Sequence, residues 1–243
     1  MKTTLILVGA DKGGVGKTTI SRVLLDYLHE NEINTRAFDT EAPGGTLQRF
    51  YGDITEVVNM SHTSDQMRII DTLEEQPDTV SVVDVRAGQL RTILETLLEV
   101  GFLDAAAEGE FNFMLFHILG SSIASLDEIS ETAPFAADAH YYLVKNYVAE
   151  GSYFEWDPGT YRSYFNQVKS ATEVTVPKLN DLAYEQVDLA GVPFTSFIDD
   201  RANSFVLRGY VRSWLDRVFA EFEEAGVLSA VGTKSTRRRT KAK

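Results

Sequence analysis

The chain contains no cysteine. This absence excludes a disulfide framework, a thiolate metal site and a cysteine nucleophile, and it is compatible with a reducing compartment. The sequence also lacks any apolar run close to the roughly 20 residues that a membrane-spanning helix requires, and it begins with a strand-like segment rather than a signal peptide. We therefore expect a soluble, cytoplasmic protein that does not bind membranes.

Histidine is scarce as well. The four histidines, His29, His62, His117 and His140, are scattered without the spacing of metal ligands. No zinc site is indicated, and His117, which is surrounded by apolar residues, is predicted to be a packed core residue.

Positive charge is concentrated at the C-terminus. The net charge is −13, yet residues 234–243 hold six basic residues and no acid, which leaves 17 basic and 36 acidic residues, or −19, in residues 1–233. An acidic body repels nucleic acid, so weak, non-specific DNA contact is expected only through the tail. Residues 232–243 have almost no apolar side chains and are predicted to be a disordered basic tail after one domain at 1–231.

Strand-like and helix-like segments alternate along the body of the chain. Predicted strands lie at Thr4–Val8, Asn34–Thr40, Thr55–Met60, Thr79–Asp84, Phe111–Gly120, His140–Asn146, Val174–Pro177 and Val192–Ile198. Predicted helices lie at Ile20–Leu28, Asp65–Glu75, Gln89–Val100, Ser125–Ala133, Tyr161–Ser170 and Asn203–Ala225. This order predicts a doubly wound α/β fold, with a mostly parallel sheet of seven or eight strands and helices on both faces.

A glycine-rich loop connects the first strand to the first helix. Gly13, Gly14 and Gly16 remove side chains that would keep a ligand away from the backbone, and the helix N-terminus adds partial positive charge. Lys17 can contact β- and γ-phosphates, and the Thr18 hydroxyl can bind Mg²⁺. The loop is therefore predicted to bind phosphate, although Asp11 occupies the place of the first glycine in the general P-loop pattern.

The loop as a whole resembles the deviant Walker A motif of the ParA/MinD ATPases. It reads Lys12-Gly13-Gly14-Val15-Gly16-Lys17-Thr18-Thr19, with a second lysine, Lys12, at its head. The resemblance implies ATP binding by Lys12 through Thr19, a P-loop fold, and a homodimer that forms when ATP binds. It also implies that Lys12 reaches the partner's phosphates in that dimer.

The segment after the second predicted strand is similar to the Asp-x-Asp-Pro segment of the same family. Here it reads Asp39-Thr40-Glu41-Ala42-Pro43, with glutamate in place of the second acid and proline one residue later. The resemblance implies that Glu41, with Asp39 beside it, orients the attacking water. The alternatives for Glu41 are catalysis and a solvated loop acid, and a misplacement of about 1 Å could slow hydrolysis by about 10²-fold.

Two further polar residues follow apolar strands. Asp84 matches a Walker B aspartate and is predicted to act with Thr18 at Mg²⁺, with capping of the next helix as the alternative. Asn146 stands where family members contact the nucleotide base.

These features together predict a Mg²⁺-dependent ATPase with weak turnover that acts as a nucleotide-switched dimer. The resemblance implies a role in plasmid partition, mobilisation or cargo positioning, with an adaptor or DNA-bound partner protein. The residue patterns of several segments also resemble those of ParA-like proteins encoded with mobilisation or conjugation genes. The alternatives are a metabolite ligase or kinase of the dethiobiotin-synthetase type and a binding module that nucleotide stabilises.

Overall fold

The computed structural model describes residues 2–76, 78–148, 153, 157–165, 168 and 170–232. Within these residues, seven parallel strands form one sheet in the order β3-β2-β4-β1-β5-β6-β7. The strands are β1 Thr4–Gly9, β2 Thr35–Asp39, β3 Thr55–Val57, β4 Val80–Asp84, β5 Asn112–Leu119, β6 His140–Asn146 and β7 Thr172–Val176. The predicted doubly wound parallel sheet is confirmed.

Helices cover both faces of this sheet. They are α1 Lys17–Glu30, α2 Thr63–Glu75, α3 Leu90–Glu99, α4 Phe102–Ala107, α5 Ile123–Thr132, α6 Pro158–Phe165, α7 Asp181–Ala190, α8 Phe194–Asp199, α9 Phe205–Glu224 and α10 Val227–Val231. Short 3₁₀ turns lie at Leu47–Arg49 and Ala133–Ala136. The predicted basic tail falls on residues 233–243, outside the described residues.

Each face of the sheet carries its own hydrophobic core. Ile6 and Val8 of β1 pack into one core with α1 and with α7 to α10, whereas Leu5 and Leu7 pack into the other with α2 to α6. Because successive side chains of a strand point to opposite faces, a central strand covered on both sides has to be apolar at every position. This explains the uninterrupted apolar run Leu5-Ile6-Leu7-Val8 in β1.

The strand register aligns the chemically active ends of three strands. β1 lies between β4 and β5, so the chain leaves β1 toward one side of the sheet and later fills the other side. Val8 pairs with Asp84, and Asp84 pairs with Asp39. Ligands of open α/β sheets bind at the carboxyl ends of the strands where the order reverses; Asp84 lies beside that point and Asp39 ends the next strand.

The predicted strand at Val192–Ile198 is wrong, because α8 occupies this segment. Its buried residues Phe194, Phe197 and Ile198 have helical spacing, which the sequence reading took for a continuous apolar strand. The Asp26 carboxylate accepts hydrogen bonds from the amides of Phe194 and Thr195 at 2.9 and 3.4 Å, so a side chain from α1 caps the start of this helix.

Two other predicted elements are shorter than expected. β3 ends at Val57, since the Asn59 amide donates to the Asp65 carboxylate at 2.8 Å and the chain turns into α2. Helix α6 ends at Phe165, and residues 166, 167 and 169 of the predicted helix lie outside the described residues. Helices α4, α7 and α10 were not predicted.

His117 is fully buried, as expected of a core residue. Its Nδ1 lies 2.7 Å from the Tyr141 hydroxyl oxygen, and its Nε2 lies 3.4 Å from Glu128 Oε2. Both ring nitrogens therefore have a polar neighbour, which is what a buried imidazole requires.

Replacing Phe194 by alanine tests the packing of α8 against α9. The Phe194 ring is fully buried and lies 5.1 Å from the Trp214 ring, so Phe194→Ala should lower the free energy of unfolding by about 3 to 5 kcal/mol through the cavity it leaves. Leu189→Ala on the neighbouring α7, where the side chain is 74% exposed, is the matched control and should change it by less than about 0.5 kcal/mol. If Phe194→Ala and Leu189→Ala lose similar amounts of unfolding free energy in chemical denaturation, the packing of α8 is contradicted.

Candidate functional site

The loop from Asp11 to Gly16 joins β1 to α1 in a conformation that glycine favours. Gly14 and Gly16 have φ values of 75° and 87°, and Gly16 is the residue before the first helical turn. A side chain at Gly16 would place its Cβ 2.2 Å from Asn146 Nδ2. The glycine therefore allows a left-handed conformation and also makes room for Asn146, while the first turn of α1 faces the loop with amides that have no acceptor within the helix.

Hydrogen bonds to three other elements brace this loop. The Asp11 amide donates to Glu128 Oε2 of α5 at 3.0 Å, and Asp11 Oδ1 accepts from the Leu90 amide at the start of α3, also at 3.0 Å. From β6, Asn146 Nδ2 donates to the Val15 carbonyl at 2.9 Å. Asp11, which departs from the general P-loop pattern, thus caps a neighbouring helix from within the loop.

The two loop lysines point to different surroundings. Lys17 is 9% exposed and its Nζ donates to the Lys12 carbonyl at 3.1 Å. Burial lowers the pKa of Lys17, and the nearby Asp84, Glu128, Glu41 and Asp11 carboxylates act in the opposite direction. Lys12 is exposed, and its Nζ donates to Ser122 Oγ at 2.9 Å. Lys17 therefore faces the site, whereas Lys12 lies on the outer side of the loop.

Asp84 holds the first turn of α1 against the end of β4. Its Oδ2 accepts from the Thr18 hydroxyl at 2.7 Å, and its Oδ1 accepts from the Ser21 hydroxyl at 2.9 Å. Burial raises the pKa of Asp84 to about 7. A cation beside this carboxylate would favour its charged form. Because Mg²⁺ prefers hydroxyl and carboxylate oxygens as ligands, Thr18 and Asp84 fit a magnesium site.

Asp39 and Glu41 line the same cleft but differ in what they contact. Asp39 is 1% exposed, and its two carboxylate oxygens accept from the amides of Glu41 and Leu47 at 2.9 and 2.7 Å. Burial raises the pKa of Asp39 despite these hydrogen bonds. Glu41 is exposed and accepts from the Thr46 hydroxyl at 2.8 Å. Asp39 thus shapes the loop, and the Glu41 carboxylate is free to face solvent.

These side chains surround a cleft of about 550 Å³ at the carboxyl ends of the strands. That volume is typical of small-molecule and cofactor sites. The lining includes Gly13, Gly14, Gly16, Lys17, Thr18, Thr19, Asp39, Glu41, Asp84, Arg86, Asn146, Pro177, Lys178, Leu179, Asp181, Tyr184 and Trp214. Every predicted site residue except Lys12 and Val15 therefore lines this one cleft, and those two belong to its loop.

Several lining residues were not singled out from the sequence. The Trp214 indole N–H donates to the Pro177 carbonyl at 2.6 Å, and the Tyr184 hydroxyl lies 3.3 Å from Thr19 Oγ1. They come from α7, α9 and the segment after β7, far from the loop in sequence, and no local pattern announces them. Ser21, which does not line the cleft but contacts Asp84, does carry a signal, since it is a small polar residue one turn after Thr18 on the same side of the helix.

Alanine at Gly16 and at Gly14 separates steric crowding from backbone conformation. Each variant places a side chain at positive φ, which costs about 1 to 2 kcal/mol. Gly16→Ala also meets Asn146, whereas the Cβ of Gly14→Ala meets nothing within 4 Å. Denaturant unfolding should therefore show a loss for Gly16→Ala that exceeds that for Gly14→Ala by about 1 kcal/mol or more. Equal losses would mean that Asn146 does not pack against Gly16.

Two features are absent from the described residues. None of the helices there combines the length and apolar character needed to cross a membrane. In the same residues, no three histidine, aspartate or glutamate side chains converge in a way that could hold a metal ion. Magnesium at a phosphate site needs only one or two protein ligands, so the second finding leaves the Thr18 and Asp84 pair unaffected.

At the level of sequence, no family profile matches this chain. Protein MobD of Acidithiobacillus ferrooxidans is 21% identical over 193 residues, which cover 77% of this chain and 83% of MobD.

Solved structures give a stronger result. MinD of Pyrococcus horikoshii, in complex with Mg-ADP, matches with a TM-score of 0.55 and 18% identity over 96% of this chain and 100% of MinD. An ATP complex of a Cyanothece McdA variant matches with a TM-score of 0.51 and 12% identity, over 98% of this chain and 99% of the McdA chain. A nucleotide-binding protein of Archaeoglobus fulgidus, in complex with ADP, matches with a TM-score of 0.51 and 14% identity, over 78% of this chain and 88% of that protein. The resemblance that the sequence predicts is thereby confirmed in the fold: this chain has the fold of the MinD and McdA nucleotide-binding proteins.

Proposed function

We propose that this protein is a Mg²⁺-dependent ATPase whose slow turnover switches a homodimer on and off. The observation that carries the proposal is that four side chains meet at the N-terminus of α1. These are the buried Lys17, the Thr18 hydroxyl with its partner, the buried Asp84 carboxylate, and the exposed Glu41 carboxylate. A binding module without hydrolysis would not need an exposed carboxylate beside the phosphate loop.

Binding follows from the loop and the lysine that faces the cleft. The unpaired amides and dipole of the α1 N-terminus favour phosphate oxygens, and Lys17 adds a full positive charge within a mostly buried setting. There an ion pair with phosphate is screened less than at the surface. Complexes of the similar MinD and McdA structures with Mg-ADP and ATP support a nucleotide as the ligand.

Thr18 and Asp84 are the residues that would hold Mg²⁺. The ion, when bound, would neutralise negative charge on the β- and γ-phosphates. The contribution of the chain is to keep both oxygens in place, since Asp84 already accepts hydrogen bonds from Thr18 and Ser21. Asn146, Pro177 and Tyr184 also line the cleft, and we assign them to the base and sugar of the nucleotide.

Glu41 is the residue we assign to the attacking water. Both oxygens of Asp39 are engaged by backbone amides, so Asp39 acts by holding the loop that carries Glu41. Within the described residues the Glu41 carboxylate accepts one hydrogen bond, from the exposed Thr46 hydroxyl, and it can accept another from water. A carboxylate in this position orients the water and accepts its proton as the water oxygen bonds to the γ-phosphorus and the bond from that phosphorus to the bridging oxygen breaks, with ADP as the leaving group.

Lys12 provides the argument for a dimer. It lies outside its own cleft, on the exposed side of the loop, where its Nζ contacts Ser122. A cation in this place can neutralise phosphate charge only across an interface, so a second copy completes the site. We extend the proposal to a role in plasmid mobilisation, partition or positioning of a cargo in the cytoplasm, with an adaptor or DNA-bound partner protein, as the resemblance of the loop to the ParA/MinD ATPases implies.

Alanine at the two lysines distinguishes binding from assembly. Lys17→Ala should weaken ATP binding by about 10²-fold or more, because the cleft loses its buried cation. Lys12→Ala should leave ATP binding by the monomer within about threefold of wild type and abolish the ATP-dependent dimer. Calorimetry measures the first effect, and size-exclusion chromatography with ATP, ADP and no nucleotide measures the second. A Lys12→Ala protein that still dimerises with ATP would refute the assignment of Lys12 to the partner's phosphates.

The pair Glu41→Gln and Asp39→Asn decides which carboxylate acts on water. Glu41→Gln keeps the hydrogen bond from Thr46 and should lower kcat by about 10²-fold or more with little change in ATP affinity or melting temperature. Asp39→Asn replaces an acceptor of two amides and should instead cost about 1 to 3 kcal/mol of unfolding free energy. Wild-type turnover in the Glu41→Gln dimer, together with a stable but inactive Asp39→Asn protein, would reverse the two roles.

A further inference from the structure

Arg86 lines the cleft but belongs neither to the phosphate loop nor to the magnesium pair. It lies on the connection from β4 to α3, two residues after Asp84. Arg86 is exposed, and in the part of the chain that the structure describes its guanidinium has no hydrogen-bond or ion-pair partner. Arg91, in the first turn of α3, instead pairs with Glu95 at 2.9 Å. The fold thus leaves one cation of the cleft unengaged.

The backbone of Arg86, unlike its side chain, is held in place. Its amide donates to the Thr40 hydroxyl at 2.8 Å, and its carbonyl accepts from the Gln89 amide at 3.2 Å. The next residue lies beside the phosphate loop, since a Cβ built on Gly13 would be 3.8 Å from the Ala87 Cβ. The two hydrogen bonds use only backbone groups of Arg86, which most residues would supply. The fold therefore does not require arginine here, and the guanidinium is available for a ligand.

The cleft has few cations for the charge of a triphosphate. Besides Lys17 and Arg86, the described lining contains Lys178, which pairs with Asp181 at 2.9 Å. Lys17 already interacts with several carboxylates, among them Asp84. A triphosphate would add several negative charges to these acids, and one Mg²⁺ offsets only part of that charge. A second cation without a carboxylate partner would therefore stabilise the bound nucleotide.

The order of the strands indicates which phosphate Arg86 would face. β2 and β4, which end before Glu41 and Arg86, lie on one side of β1, whereas β6 and β7, which end at Asn146 and just before Pro177, lie on the other side. The phosphate loop follows β1, between these two groups. A nucleotide whose base lies toward Asn146 and Pro177 would direct its terminal phosphate toward Glu41 and Arg86.

We propose that Arg86 binds the γ-phosphate of the ATP held in its own subunit and stabilises the charge that this group carries during hydrolysis. The inference rests on the ATPase function proposed above. A guanidinium can donate two parallel hydrogen bonds to phosphate oxygens, and such charge-assisted pairs are stronger than neutral ones. Arg86 lines its own cleft whereas Lys12 does not, so the contact of Arg86 is made within one subunit.

The role of Arg86 in the reaction is electrostatic. The water oxygen bonds to the γ-phosphorus, the bond from that phosphorus to the bridging oxygen breaks, and its electron pair leaves with ADP. Glu41 takes the proton of the water, whereas Arg86 stays protonated throughout and neutralises charge on the non-bridging oxygens of the γ-phosphate.

Two hydrogen bonds link Arg86 to the loop of the carboxylate that acts on water. Thr40, whose hydroxyl accepts from the Arg86 amide, is the residue before Glu41, and the Thr40 amide donates to the Asp84 carbonyl at 3.0 Å. Thr40 is buried, so both contacts are protected from water. A γ-phosphate that engages the Arg86 side chain would thus also restrict the Glu41 loop, and ADP, which lacks this phosphate, would not.

Nucleotide affinity of the monomer tests the contact. Arg86→Ala should weaken binding of the β,γ-imido analogue of ATP by about tenfold or more and change Mg-ADP affinity by less than about threefold, because only the analogue carries a γ-phosphate. Competition against fluorescently labelled ADP, at protein concentrations where sizing shows a monomer, gives both affinities. Arg91→Ala, which removes an exposed arginine outside the cleft, is the matched control and should change neither.

Turnover separates the geometry of the guanidinium from its charge. Arg86→Ala should lower kcat by about 10²-fold or more. Arg86→Lys keeps the charge but not the two parallel donors, so it should recover more of the affinity for the analogue than of kcat. Because Arg86 is exposed, thermal melts of these variants should match wild type, and Arg86→Gln replaces Arg86→Ala if that variant does not fold.

Two results would overturn the assignment of Arg86 alone. Wild-type affinity of the Arg86→Ala monomer for the analogue would show that Arg86 does not contact the γ-phosphate of its own subunit, and a simultaneous loss of the ATP-dependent dimer would place it on the partner's nucleotide. Equal losses for the analogue and ADP would place it elsewhere on the nucleotide. A wild-type chain that binds neither nucleotide would instead overturn the proposed ATPase function, and this contact with it.

Discussion

The hydrogen bond from the Thr18 hydroxyl to Asp84 is the interaction on which the rest of the site depends. It joins the first turn of α1 to the end of β4, and the Ser21 hydroxyl adds a second contact one turn further along. Since β4 lies between β1 and β2, this pair fixes the helix N-terminus relative to both neighbouring strand ends. The loop before α1 then has little freedom, and Asn146 and Glu128 restrict it further.

What could be predicted from the sequence is what is local in the chain. The strand, glycine loop and helix around Lys17 are contiguous, and each has a pattern of its own, so the fold and the phosphate loop follow from the residues together. Asp39 and Asp84 were also placed correctly at the cleft, because each ends an apolar strand and parallel strands end at the same edge of the sheet.

What could not be predicted depends on contacts between distant segments. The lining by Pro177, Tyr184 and Trp214 requires the packing of α7 and α9 against the sheet, which no spacing reveals. Helix α8 was mistaken for a strand because its short apolar run is compatible with either structure, and its cap comes from Asp26, far away in sequence. The surroundings of Asp39 likewise need to be seen in space, since the sequence does not show that the amides of Glu41 and Leu47 engage both of its carboxylate oxygens.

The two edge strands have a consequence for the behaviour of the chain at high concentration. A wide parallel sheet ends in two rows of backbone groups that another chain could pair with, which is a common route to aggregation. β3 is three residues long, and β7 carries the partly exposed Glu173, whose carboxylate pairs with Lys145 at 3.1 Å. The short β3 edge and the charged residue on the β7 edge both disfavour pairing with a foreign strand. The sheet can therefore stay open at its carboxyl end for a ligand without offering an edge that promotes aggregation.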